Sequence, residues 1–302
     1  MFAPRGPQNQ AVQALPFQTT PPATRYAERV HSPSRDRALE LLGLDPLRHI
    51  VGLKMLQQVG AAADVALRED AGGWAALITF PPSAFEYDAQ NYGVDARIAV
   101  LEGTSDALQL ELLDALDGQA AVLKTQNAHV VRRARERFEA RAVAAFVSFT
   151  SDVRGALPDE TLPSAGLECA TATALTPALA TLFERNGYRE AELTRYFAAG
   201  ARWFALQPDG AVAAACFVFQ NFGQVWEIAG VHTEPSHRRR GLAACVVGAA
   251  LRHLLAAGAL PRYQTSATNE ASIALARSIG LVEFLRIEHL EVEPRTERSA
   301  VR

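Results

Sequence analysis

Apolar and polar positions follow two periods along the chain, and they predict helices and strands in a definite order. In the first half, helices are expected over residues 35–44, 47–59, 105–116 and 129–139. Strands are expected over 97–101, 120–124 and 143–149, and a hairpin joins 65–68 to 74–80 around a Gly-Gly pair. The first half therefore reads helix, helix, hairpin, strand, helix, strand, helix, strand.

The second half repeats this order. Helices are predicted over residues 176–186, 190–199, 242–256 and 270–279. A hairpin joins 202–206 to 212–220 around a Pro-Asp-Gly turn, and strands are predicted over 225–232, 262–267 and 282–292. The repetition predicts a duplicated α/β unit. We expect a proline-rich N-terminal arm over 1–30, a first domain over 31–152, a linker over 152–166 and a second domain over 160–295.

Composition narrows the class of protein. The chain has 302 residues, 49% of them apolar and 21% charged, which suits two globular domains. A net charge of −3 argues against a dedicated nucleic-acid binder. The three cysteines are widely spaced and odd in number, which favours a reducing, cytoplasmic setting. No apolar run reaches the roughly 18 residues of a membrane span. The seven histidines show no metal-ligand spacing, so no metal is expected.

One segment carries most of the chemistry. An apolar strand from Val225 leads through a short loop into Arg238, Arg239, Arg240 and Gly241, where a helical pattern begins. Free amides at a helix start attract anions, and Gly241 lets a ligand approach the backbone closely. Small residues follow at the helix start, namely Ala243 and Ala244 after Leu242. This arrangement predicts a phosphate site. The alternative is a solvated run of charges before an ordinary helix.

Glu227 is the one carboxylate in that strand, and alternation places it on the face of Ala229 and Val231. Desolvation on an apolar wall raises the pKa of a carboxylate, which suits a general base working near neutral pH. Glu227 is therefore a possible base beside the loop. The alternative is a solvent-facing glutamate with a cross-strand partner.

These motifs resemble the GNAT superfamily of N-acetyltransferases. Arg238-x-x-Gly241-x-Ala243 is similar to the family's Gln/Arg-x-x-Gly-x-Gly/Ala signature. Asn269-x-x-Ser272-x-x-Leu275-Ala276-x-x-x-Gly280-Leu281 is similar to its second motif. The resemblance covers about residues 165–292. It implies an α/β (α+β) fold, a mixed and mostly antiparallel sheet flanked by helices, that splays open to hold acyl-CoA.

The resemblance also implies roles for individual residues. Main-chain groups of Val231, His232 and Thr233 would pair with the pantetheine arm. Amides from Arg239 to Ala244, beside Arg238, would hold the pyrophosphate. Asn269 would contact the pantetheine from the other side, although an N-cap explains its position equally well. The spacing of eleven residues from Glu227 to Arg238 matches the branch in which this glutamate is the base.

One position departs from the family pattern. Many members carry, where this chain has Ala276, a tyrosine that acts as the acid for the departing thiolate. Ser272, one turn earlier, could face the same space and order a water there. The implied activity is transfer of acetyl from acetyl-CoA to a small-molecule or peptide amine, without metal. The alternative is an inactive CoA-binding sensor or assembly protein. A homodimer is compatible with either.

The first half lacks the phosphate loop. At the corresponding place it carries the short acidic segment Leu101-Glu102-Gly103-Thr104-Ser105-Asp106, which would repel a pyrophosphate. The whole chain is therefore predicted to be a tandem of GNAT-like units in which only the second binds CoA.

Overall fold

The computed structural model describes residues 33–93, 96–116, 118–151, 168–208 and 210–295. The first half contains helices α1 Pro33–Leu42, α2 Ile50–Val59, α3 Glu86–Asn91, α4 Asp106–Asp114 and α5 Ala128–Arg137. Its strands are β1 Asp64–Asp70, β2 Gly73–Phe80, β3 Arg97–Gly103, β4 Ala121–Thr125 and β5 Phe138–Ser151.

The second half adds strands β6 Cys169–Ala172, β7 Arg202–Leu206, β8 Ala214–Phe222, β9 Val225–Thr233, β10 Leu260–Ser266 and β11 Leu281–Pro294. Its helices are α6 Pro177–Arg185, α7 Glu190–Ala198, α8 Leu242–Ala256 and α9 Glu270–Ser278.

The predicted order of elements is confirmed in both halves, with two additions, α3 and β6. The helix expected to reach residue 139 ends at Arg137, because Phe138 is fully buried and begins β5. The last strand of each half is longer than predicted, at 14 residues. The expected N-terminal arm and the linker after residue 152 lie outside the described residues.

The eleven strands found in the described residues form one sheet, in the order β1-β2-β3-β4-β11-β5-β10-β9-β8-β7-β6. The two halves exchange their last strands. The second half's β11 lies between β4 and β5, and the first half's β5 lies between β11 and β10. The two exchanged strands pair antiparallel from Leu281–Ser151 to Pro294–Phe138. Each half is completed by a strand of the other.

The buried side chains show why the exchange is stable. Leu290 and Val292 of β11 lie in the core of the first half, among residues of α4 and α5. Val147 and Phe149 of β5 lie in the core of the second half, under α8 and α9. A further apolar cluster packs α6 and α7 against the opposite face of the second half. Each exchanged strand therefore buries part of its apolar side chains in the core of the other half.

A transmembrane helix is not found in the described part of the chain, where every helix is too short or too polar to cross a bilayer.

Candidate functional site

The sheet opens between β9 and β10. These parallel strands pair over four positions only, from Val225–Leu260 to Ile228–Tyr263. Beyond Ile228, β9 pairs with β8, and beyond Tyr263, β10 pairs with β5. The facing backbone edges of residues 229–233 and 264–266 are thus not paired with each other. We call this opening the β9/β10 cleft; its walls offer main-chain donors and acceptors to a ligand.

A bulge shapes the β9 wall of the cleft. The register of β8 against β9 slips between Ala215 and Phe217, opposite Gly230, which has a φ of 61°. A Cβ at Gly230 would lie 2.5 Å from a ring carbon of Phe217, so only glycine fits. The bulge re-aims the residues that follow it. The carbonyl of Val231 accepts a hydrogen bond from Asn186 Nδ2 at 3.3 Å, and His232 and Thr233 are half-buried.

The cleft leads to the start of α8. Arg239 (φ 61°) is the one non-glycine residue with positive φ in the described ranges, and Gly241 (φ 75°) precedes the helix. The first backbone bond of the helix runs from Cys245 N to Gly241 O at 3.2 Å, and no described side chain caps this end. The amides of Leu242, Ala243 and Ala244 therefore have no intrahelical acceptor.

Three exposed arginines precede this helix start. Arg238 donates from Nε to the carbonyl of Thr233 at 3.2 Å, which ties the loop to the end of β9. Arg239 and Arg240 follow at the surface. Free amides, a helix N-terminus and arginines together make an anion site. The phosphate-binding role of this loop stays a prediction.

Across the cleft, Asn269 caps α9. Its Oδ1 accepts from Ser272 N at 3.1 Å, which leaves its Nδ2 as a donor. Ser272 Oγ in turn lies 2.5 Å from the hydroxyl of Tyr263 on β10. Sequence reasoning missed Tyr263. Burial raises the pKa of its phenol. Ala276, where the family tyrosine would stand, is fully buried in the core.

Glu227 shares its strand face with Ala229 and lies opposite Phe219, but its carboxylate is not surrounded by apolar groups alone, and that part of the prediction is wrong. Its Oε2 accepts from Arg262 Nη1 and from Asn221 Nδ2, both at 2.6 Å. The side chain of Glu227 is 12% exposed and that of Arg262 is 5% exposed. Arg262 sits opposite Glu227 because β10 pairs with β9 in that register. No described residue bonds to Oε1, so one carboxylate oxygen stays available.

Lys54, on α2 of the first half, lies close enough to Glu227 and Arg262 to interact with their charges. Ile50 of α2 packs with Val225 at the start of β9, and Lys54 lies one turn further along the same face. Its Nζ lies 5.7 Å from the centroid of the Phe85 ring. Burial lowers the pKa of Lys54, partly offset by the charge of Glu227 and reinforced by Arg262. The sequence offered no signal for this contact, because it arises between the halves.

The α6–α7 side of the site is aromatic. Tyr196 stacks on Phe219 with ring centroids 4.1 Å apart, and Arg195 lies over the Tyr196 ring. Arg189, at the start of α7, forms an ion pair with Glu86 of α3. Helices of both halves therefore border the face of β8 and β9 that carries Glu227.

Comparison with known proteins identifies the second half. Residues 189–284 match the family model for GNAT acetyltransferases. These residues are a GNAT acetyltransferase domain. The family match includes Glu227, the helix start at Gly241 and Asn269. A comparison with curated protein sequences gave no match.

Solved GNAT structures resemble the whole chain in fold. An acetyltransferase from the GNAT family of Colwellia psychrerythraea has 15% identity and a TM-score of 0.54, covering 88% of this chain and 98% of that one. A GCN5-related N-acetyltransferase from Sphaerobacter thermophilus has 11% identity and a TM-score of 0.52, covering 82% and 86%. A tandem GNAT protein from the clavulanic acid pathway has 15% identity and a TM-score of 0.49, covering 88% and 96%.

The predicted fold class is thus confirmed as a mixed, mostly antiparallel α/β sheet of GNAT type, in which the two halves repeat one order of elements. Within the described ranges, no group of three or more histidine, cysteine or acidic side chains could hold a metal ion. The individual roles assigned to the site residues stay predictions.

Proposed function

We propose that the second half of this GNAT protein transfers an acyl group, most simply acetyl, from acyl-CoA to a primary amine by direct attack. The observation that carries this proposal is the continuity of the β9/β10 cleft with the uncapped start of α8. A long ligand with an amide-bearing arm and a pyrophosphate fits that sequence of features. Bound acetyl-CoA would supply an activated thioester carbon.

Each part of acyl-CoA has a matching group in the chain. The amides of Leu242, Ala243 and Ala244, with Arg238, Arg239 and Arg240, would hold the pyrophosphate. The edge from Val231 to Thr233 would pair with the pantetheine arm, and Asn269 would donate from its Nδ2. A main-chain N–H near Val231 would polarise the thioester carbonyl. Holding both substrates together supplies much of the rate acceleration.

Glu227 is the proposed base. Arg262 and Asn221 hold its Oε2 and thereby orient the carboxylate. Its Oε1 would receive a proton from the acceptor ammonium, directly or through water. Lys54 is the competing candidate, because a lowered pKa increases the share of neutral amine, and a neutral amine can act as a base.

Ser272 and Tyr263 would take the place of the family tyrosine. Their hydroxyl pair spans from the start of α9 to β10, beside the cleft. Such a pair can donate a proton at the serine and be reprotonated through the tyrosine. Ala276 itself offers no acidic group.

The test is the pH profile of thiol release from acetyl-CoA with an amine panel. Glu227→Gln should lower kcat/KM about 100-fold and remove the acidic limb of the profile. Arg262→Met is the matched control, since it breaks the same ion pair but keeps the carboxylate, and it should retain the limb. If Glu227→Gln keeps the limb and Lys54→Met removes it, the base is Lys54.

A CoA-binding sensor or assembly protein is the second candidate function. The buried Ala276 and the ion pair that engages Glu227 favour it. Calorimetry with acetyl-CoA separates the two functions when it is followed by thiol-release assays. Tight binding without thiol release for any amine would support the sensor and overturn the transferase.

A further inference from the structure

The chain contains two lysines, Lys54 and Lys124, and both lie near one aromatic ring. Their Nζ atoms lie 5.7 and 5.9 Å from the centroid of the Phe85 ring. Lys124 is 4% exposed and forms an ion pair with Asp88 at 2.5 Å. Lys54 makes no hydrogen bond and no ion pair with any residue that the structure describes. Of the two lysines, only Lys124 therefore has a carboxylate partner within the described chain.

Lys54 lies on the face of the sheet that carries Glu227. Ile50 of α2 packs with Val225, and Val225 shares a strand face with Glu227, because residues two apart in a strand point to the same side. Lys54 follows Ile50 by one helical turn, about 6 Å, and Glu227 follows Val225 by about 7 Å. The charges of Lys54 and Glu227 interact, yet no ion pair joins them. The amine and the carboxylate are thus neighbours that do not touch.

The Nζ of Lys54 is accessible to a ligand. The residue is half-buried, and its Nζ is not closed off from solvent as the unpartnered Nε of Arg262 is. Burial lowers the pKa of Lys54, because its ammonium loses water without gaining a bonded counter-charge. An amine donates to a carboxylate in either protonation state, and a bound carboxylate favours the charged form. A carboxylate is therefore the ligand group that suits Lys54 best.

The carboxylates whose charges act on Lys54 are both engaged by arginines. These carboxylates belong to Glu227 and Glu192. Glu227 Oε2 lies 2.6 Å from Arg262 Nη1, and Glu192 Oε2 lies 3.8 Å from Arg189 Nε. Each negative charge is offset by an arginine, so neither compensates the charge of Lys54 alone.

Arg195 of α7 is a second cation in this region. It is exposed, its guanidinium carbon lies 5.5 Å from the centroid of the Tyr196 ring, and no carboxylate of the described residues pairs with it. Its charge acts on Lys54, so the two cations are neighbours. Two cations without a carboxylate partner therefore lie near Glu227, and they favour an anionic group there.

We propose that the amine acceptor of the transfer reaction also carries a carboxylate, which Lys54 and Arg195 bind while the acceptor ammonium faces Glu227. Such a molecule presents a negative group to the two cations and a positive group to the glutamate. Lys54 is then a specificity-determining residue, through which the first half of the chain selects the substrate of the second half. This inference rests on the proposed function with Glu227 as the base.

The experiment compares matched amines in the thiol-release assay with acetyl-CoA. Glycine and γ-aminobutyrate carry a carboxylate, whereas glycinamide and γ-aminobutyramide replace it with a neutral amide. For at least one pair, kcat/KM of the acid should exceed that of the amide at least about ten-fold, through hydrogen bonds to a charged group. Lys54→Met should reduce this ratio about ten-fold, mainly by raising KM for the acid. Arg68→Met removes one positive charge from an exposed position of β1 and should leave the ratio unchanged.

Two further variants separate the role of the charge from a role in folding. Lys54→Arg keeps a cation and should retain a higher ratio than Lys54→Met does. Arg195→Gln changes an exposed residue, where folding is not at risk, and should reduce the ratio about three-fold.

Equal kcat/KM values for acids and amides with the wild-type protein would overturn this inference alone. So would an unchanged ratio in the Lys54→Met protein or, if that variant does not fold, an unchanged ratio in the Arg195→Gln protein. Thiol release with none of the amines would overturn the proposed transfer and this inference together.

Discussion

The two halves share one order of elements but differ at the place where a parallel strand pair meets a helix start. In the first half, β3 and β4 pair over five positions, from Arg97–Ala121 to Leu101–Thr125, so β4 is paired along its whole length. In the second half the equivalent pairing stops after four positions and the strands separate. The β9/β10 cleft therefore exists in one half only.

The third pair, counted from the start of each strand pair, also differs. It is Ala99–Leu123 in the first half and Glu227–Arg262 in the second. The helix starts differ as well, since Ser105 and Asp106 supply a cap and a negative charge to α4, while α8 follows Gly241 and three arginines. The comparison shows that the same order of elements gives an open cleft in one half and a closed strand pair in the other.

The largest expected effect comes from separating the halves. When residues 33–151 and 168–295 are expressed apart, neither should fold, because each loses the exchanged strand that completes its sheet and exposes an unpaired edge. Co-expression should restore a soluble complex. Size-exclusion chromatography and circular dichroism of each half measure this. A soluble second half that binds acetyl-CoA as well as the full chain does would contradict the prediction.

The next effect concerns the loop with Gly241 and three arginines at the start of α8, which has no counterpart at the start of α4. Gly241→Glu places a carboxylate and a side chain at positive φ beside the free amides of α8, and it should weaken acetyl-CoA binding about 100-fold or more. Gly258→Glu is the matched control. It makes the same change at a φ of 71° beyond the other end of α8, where a Cβ has open space. Calorimetry with acetyl-CoA measures the affinity of each variant. Equal affinities of the Gly241→Glu and Gly258→Glu proteins would refute a role of the loop in binding acetyl-CoA.

The smallest expected effect concerns the places where the exchanged strands β5 and β11 each enter the other half. Where β11 enters the first half, His289 is buried beside the Tyr92 hydroxyl, and burial lowers its pKa to about 3. Where β5 enters the second half, Phe149 packs on Tyr263 instead. Above pH 6.5 His289 is neutral in both the folded and the unfolded chain. Below pH 6.5, only the unfolded chain protonates this histidine. The free energy of unfolding therefore decreases as the pH is lowered, down to about pH 3.

At pH 5 this loss amounts to about 2 kcal/mol of unfolding free energy for His289 alone. Urea unfolding of the wild-type and His289→Gln proteins at pH 7 and pH 5 tests it. The variant should lose less stability than the wild type between the two pH values. An equal loss in both proteins would show that His289 is not the group responsible.

Much of the fold could be read from local patterns. The helix over Leu242–Ala256 and the strand over Arg202–Leu206 match their predicted bounds, because apolar periodicity and turn residues are local properties. The strand β6 was missed, since four residues carry too short a pattern. The ends of β5 and β11 were underestimated, because their outer parts are specified by pairing with each other.

The candidate site divides in the same way. Sequence alone determined the loop chemistry of Arg238 to Ala244, the lone carboxylate of Glu227 and the cap at Asn269, because each depends on residue types at fixed spacing. Tertiary structure decided which side chains surround the carboxylate of Glu227. The register of β10 brings Arg262 to it, and the packing of α2 brings Lys54 from the other half. It also decided the strand exchange. Strand pairing and contacts between halves join residues far apart in the chain, and no local pattern encodes such partners.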